Sequence, residues 1–166
     1  MCSKFEEVHP PVIDDFLYIS ENAYTREQIV DCESRILNAL QFNLGTVTIR
    51  AFLRRFLKAA NASSRTCFLA GYIAELALLE YACIRFLPSL IATCAVCLAL
   101  HSQRLPSWNE TLAHYAQYQL DNPQFQECLR TLQALYRGAE RSSFQAIRNK
   151  HSHSAYLKVS LYRPEQ

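Results

Sequence analysis

Between Phe86 and Leu100 the chain is apolar almost without interruption, and Leu90, Ile91, Ala92, Ala95, Val96, Leu98 and Ala99 cover nearly the whole circumference of a helix. An element with no polar face must be surrounded by other elements. Pro88 suits the first helical turn, where a missing N–H leaves no partner unsatisfied. The run also contains Ser89 and Thr93 and falls short of the ~20 residues needed to span a bilayer. The pattern predicts a buried helix from Pro88 to about His101, at the centre of a domain.

Composition supports helices as its neighbours. The 166 residues include three glycines, too few for the turns of an all-β fold or for a Gly-rich phosphate loop. Hydrophobic residues make up 50% and charged residues 19%, which excludes disorder for most of the chain. Seventeen Lys and Arg stand against 15 Asp and Glu, a formal charge of +2 that creates no strong attraction to nucleic acid or anionic lipid. Recognition therefore has to rest on shape and burial. The seven cysteines, at positions 2, 32, 67, 83, 94, 97 and 128, form no disulfide framework and read as reduced thiols. Lys4, Glu6 and Glu7 interrupt any secretory signal core at the start.

Along the chain, Pro10-Pro11 ends a short opening segment, Phe16 to Ile19 forms an apolar knot, and Ser20 to Ala23 reads as a turn. Thr25 with Gln28 makes a capping box, and Ile29, Val30, Ile36, Leu37 and Leu40 recur at helical spacing until Gly45 offers a stop. From Thr48, residues Ile49, Phe52, Leu53, Phe56 and Leu57 build an amphipathic helix with Arg50, Arg54 and Lys58 largely opposite. Phe68, Leu69, Tyr72, Ile73, Leu76 and Leu79 predict another, ending near Ala82. After the central helix come a short helix from Asn109 to about Tyr115, a longer one from Pro123 to about Tyr136, and one around Phe144 to Lys150. The expected architecture is all-α, with about five helices after Thr48 in one helical bundle.

Chemistry-bearing patterns are sparse. Cys94-Ala-Val-Cys97 has redox or metal spacing but lacks a second ligand pair and sits in the most apolar helix, so buried thiols are expected. His151 and His153 are expected on the surface, and Arg54, Arg55, Lys58 and Arg65 as a solvated basic cluster. Trp108 is either an interface anchor or packed on its own domain. No nucleophile, base and acid share a local signature, so no catalytic residue, metal site or cofactor is expected.

Ser3-Lys4-Phe5-Glu6-Glu7, Pro10-Pro11, Ala23 to Gln28, Glu33, Ile36-Leu37, Leu40-Gln41-Phe42, Ala74-Glu75-Leu76, Leu87 to Ala92, Trp108 and Ile147 to His151 together resemble the mitotic A/B class of cyclins. That resemblance implies a cyclin-like helical bundle. Residues 1–46 would be the C-terminal remnant of the N-terminal cyclin box, and residues 47–166 a complete five-helix C-terminal cyclin fold. It also implies a regulatory, activating subunit of a cyclin-dependent protein kinase, without catalysis of its own, acting in cell-cycle control in nucleus and cytoplasm. The implied partner is the kinase catalytic subunit, with no nucleic acid, membrane or small-molecule substrate.

In such a subunit the first fold holds a movable kinase helix in its active position. The resemblance maps the polar anchor onto Lys4 and Glu33, and the apolar contact surface onto Phe5, Ile36, Leu37, Phe42 and Leu44. An ammonium can donate to several carbonyls and a carboxylate can accept from backbone N–H groups. About three helices that precede the Lys-Phe-Glu-Glu segment in this class, with their substrate-docking patch, have no counterpart here. An exposed apolar patch on Ile29, Ile36, Leu40 and Phe42 is the expected consequence. The alternative is a non-activating interaction module built on the second fold, and a DNA-binding reading is opposed by the small net charge.

Overall fold

Thr25 opens the longest helix of the N-terminal region as its side chains dictate. Its hydroxyl accepts from the Gln28 N–H at 3.3 Å, and Gln28 Oε1 accepts from the Thr25 N–H at 2.8 Å. Two helix-end donors are thus satisfied reciprocally. The computed structural model describes residues 3–4 and 7–162, and all regular structure among them is helical. The chain divides into two compact units, Met1–Thr46 and Val47–Gln166.

In the first unit, α1 (Ile13–Ile19) precedes α2 (Arg26–Ala39). The apolar knot at Phe16 to Ile19 is therefore the body of a helix, started by Asp15, whose carboxylate accepts from the Val12 N–H at 2.9 Å. The stop of α2 also differs from the sequence reading. Gln41 and Phe42, not Gly45, take the left-handed conformation, with φ of 49° and 56°. Phe42 N–H reaches back to the Leu37 carbonyl at 2.9 Å and satisfies a helix-end acceptor. Neither α1 nor α2 has a fully buried residue.

The second unit is built round α5 (Pro88–His101), in which every residue from Leu90 to Leu100 is buried. It packs against α3 (Ile49–Ala59), α4 (Ser64–Leu76), α6 (Glu110–Ala116) and α7 (Pro123–Gly138). Tyr72, Phe56, Phe125, Leu69 and Ile73 are among the largest side chains removed from water. Burying each contributes about 1.5–3 kcal/mol before chain entropy is subtracted. Two hydroxyls inside or beside α5 do not break it because they bond back along the helix. Thr93 donates to the Ser89 carbonyl and Ser102 to the Leu98 carbonyl, both at 2.8 Å. Cys94 and Cys97 are buried here as expected. Trp108 packs edge-on against Phe125 of its own unit, 5.7 Å between centroids.

Two sequence expectations fail in this unit. The helix predicted to reach Ala82 ends at Leu76 and continues as two 3₁₀ turns, Ala77–Leu79 and Tyr81–Arg85. Glu80 breaks the run with extended backbone, and its carboxylate accepts from the Ala82 N–H at 3.1 Å. His151, expected on the surface, is 2% exposed. It ends the short helix α8 (Ala146–His151), which packs against α4 and turns the imidazole in between Tyr72 and Tyr156. His153 is exposed, as read. Among the described residues six α-helices follow Thr48, one at each place where the spacing predicts a helix.

Candidate docking site

The first unit presents the candidate site. On α2 the spacing of Ile29, Glu33, Ile36, Leu37 and Leu40 places these residues along one side of the helix. Helix α1 packs beside it, and Arg26 is tied to Asp14 at 2.5 Å. Between the two helices lies a groove of about 640 Å³, bordered by Ile13, Phe16, Tyr24, Ile29 and Ile36 with Lys4 and Glu33 among its polar residues.

Lys4 and Glu33 are 33 − 4 = 29 residues apart in sequence, yet Lys4 Nζ lies 2.7 Å from Glu33 Oε2. The Lys4 ammonium, by its hydrogen bond, holds the Glu33 carboxyl below the ordinary carboxylate range, and burial opposes this more weakly. Half of the Lys4 side chain remains in water, so the pair is mostly screened and adds little to folding. Its chemical character is that of a hydrogen-bonding anchor: three N–H donors on one side and a carboxylate acceptor on the other.

Ile36 borders the same groove and is 44% exposed, and Leu37 beside it is half-buried. Phe42 and Leu44 follow the helix end, Phe42 with 66% of its surface in water and Leu44 also exposed. Phe5 lies outside the described residues. Leu40, Val30 and Tyr24 add further exposed apolar surface to this unit. The expected patch is therefore present, with Ile29 half-buried at the groove. Phe16 and Tyr24 belong to the groove although the sequence reading assigned them no binding role. Phe16 stands in the apolar run within α1, and Tyr24 directly precedes the Thr25 cap.

The C-terminal domain model of the cyclins matches residues 47–165, and the N-terminal domain model matches residues 1–45. The chain belongs to the cyclin family. Relatives include Cyclin-A3-4 of Arabidopsis thaliana, 37% identical over 165 residues that make up 95% of this chain and 44% of the relative. Cyclin-A1 of Homo sapiens is 40% identical, over 99% of this chain and 35% of its own. G2/mitotic-specific cyclin-B of Spisula solidissima is 37% identical, over 96% and 37%. This cyclin chain thus spans less than half the length of these relatives, and it is similar to both A-type and B-type members.

No group of three or more metal-ligating side chains occurs among the described residues. No described helix is long and apolar enough to cross a membrane. Burial raises the Cys83 thiol to about 11 and the Cys97 thiol to about 12, which makes these two poor nucleophiles.

Proposed function

We propose that this cyclin chain acts as a regulatory subunit of a cyclin-dependent serine/threonine kinase in cell-cycle control, and that the first unit carries the docking face. Lys4 and Glu33 anchor the kinase's backbone groups, and Phe5, Ile36, Leu37, Phe42 and Leu44 supply the apolar contact. The single observation carrying this reading is the Lys4–Glu33 pair, closed across 29 residues beside an apolar groove. An anchor of this kind gives register, while the uncovered isoleucine, leucine and phenylalanine side chains give the burial that drives association. Docking stabilises the active arrangement of a kinase helix, so activation is a shift of the kinase's own equilibrium and the chain performs no catalysis.

The reading includes action in nucleus and cytoplasm, and a protein partner in place of nucleic acid or a small-molecule substrate. A +2 charge supports that choice. The test is co-purification and titration calorimetry with a mitotic cyclin-dependent kinase catalytic subunit. Lys4→Ala and Glu33→Ala should each weaken the complex by about 2–5 kcal/mol, as truncation of a desolvated interfacial charge does. Tight binding indifferent to both substitutions overturns the proposed face. An unchanged complex after deletion of residues 1–46 would transfer the binding role to the second unit.

A further inference from the structure

The second unit has a cavity of about 710 Å³ whose border includes Arg50, Glu75, Lys150, His151 and Tyr156. His151 is almost wholly buried there, its ring centroid 4.7 Å from that of Tyr156 and 5.2 Å from that of Tyr72. Nε2 approaches Glu75 Oε2 to 3.2 Å, but neither ring nitrogen makes a well-directed hydrogen bond. Glu75 is already engaged: Lys150 Nζ lies 2.9 Å from both of its carboxylate oxygens. A proton on His151 would thus add a buried cation beside an acid that the exposed Lys150 ammonium has already neutralised.

We propose that His151 is a protonation-sensitive latch, which secures α8 and the two following 3₁₀ turns, Ser154–Tyr156 and Val159–Leu161, on α4 while the imidazole is neutral and loosens them when it is charged. The segment is suited to this role because α8 is one short helix, and its packing partners are α4 and those two turns. Every charged group facing the ring enters the balance. Glu75 on α4 favours the imidazolium, while Lys150 on α8 and Arg50 on α3 oppose it, and the rings of Tyr72 and Tyr156 bring no charge.

Desolvation is the largest influence and lowers the imidazole below its ordinary value, with Glu75 only partly offsetting it. The folded chain then binds a proton less readily than the unfolded chain, so stability rises with pH across the interval just below ~6.5. Acidification through that interval lowers the folding equilibrium constant, by up to about tenfold per pH unit. Burial raises Glu75, but the two hydrogen bonds from Lys150 and the nearness of the His151 ring outweigh it and leave its carboxyl below the ordinary range. Its own contribution is therefore lost only in stronger acid, and the interval above pH ~5 isolates the histidine.

The full chain should be followed between pH 8 and pH 5 by NMR of the imidazole Cε1–H signals, with urea midpoints measured over the same range. A signal absent from His151→Phe should titrate below 6.5, and the wild-type midpoint should fall more steeply in acid than that of His151→Phe. The exposed control His153→Gln should retain the wild-type slope. Titration at or above 6.5, or equal acid slopes for wild type and a folded His151→Phe, overturns the latch. Should His151→Phe fail to fold, Glu75→Gln decides: loss of the carboxylate should push the titration lower still, and an unmoved titration overturns the assignment.

Discussion

At the scale of single residues, the Lys4–Glu33 pair separates binding from stability. Its distance of 2.7 Å is that of a charge-assisted hydrogen bond, yet the Lys4 side chain is half in water. Lys4→Ala should therefore change the urea stability of the chain by less than about 1 kcal/mol while impairing kinase capture far more. Because the folded carboxyl of Glu33 is lowered, the small stabilisation from the pair is present above the ordinary carboxylate range and lost as pH falls through the folded value. In Lys4→Ala the Glu33 carboxyl should titrate at higher pH than in the wild type, measured by carboxyl carbon NMR. An unmoved titration would show that the ammonium does not act on it. Lys4 and Glu33 were both identifiable as one polar anchor from the family resemblance, whereas no local pattern connects residues 29 apart in the chain.

Helices differ in what holds them, and substitutions should reveal it. Helix α2 has a reciprocal cap and no buried side chain. Thr25→Ala should cost about 1 kcal/mol of that helix's stability, seen as faster amide exchange in its first turn and not as a change in global unfolding. Helix α5 is the opposite case. Ala95 is wholly buried on a helix that packs against α3, α4 and α7, so Ala95→Leu should overpack the core and cost about 1–3 kcal/mol in global urea unfolding. Leu132→Ala, on α7, empties a fully buried site and should cost about 2–5 kcal/mol. The central helix was readable because its composition allowed no exposed face. The end of α4 was not readable, because Leu79 continued the apolar spacing while Glu80 ended the helix through its own backbone geometry.

As a whole molecule, the chain concentrates its core in residues 47–166. Among the described residues all thirty buried hydrophobic ones fall between Leu53 and Val159, and none of these is in the first unit. A 14-residue helix in water is marginal without tertiary packing. Residues 47–166 alone should consequently unfold in one cooperative thermal transition close to that of the full chain, followed by circular dichroism, whereas a peptide of residues 1–46 should show little helix. Two separate transitions in the full chain would contradict this division. The uncovered Ile36, Leu40 and Phe42 side chains leave the first unit with little core of its own, and the proposed docking role would use the same exposed apolar surface.

The amino-acid sequence by itself determined the all-helical class, the central position of Pro88 to His101, the Thr25 cap and the family. These depend on composition and on spacings within a few residues, where side-chain periodicity and backbone donors act directly. Only the tertiary structure decided that His151 is buried against Glu75, that the Lys4 ammonium closes on Glu33 at 2.7 Å, and that Phe42 takes the left-handed turn in place of Gly45. Each of those outcomes depends on which surfaces pack together. A histidine in a basic, serine-rich segment is written like any solvated one until another helix removes its water.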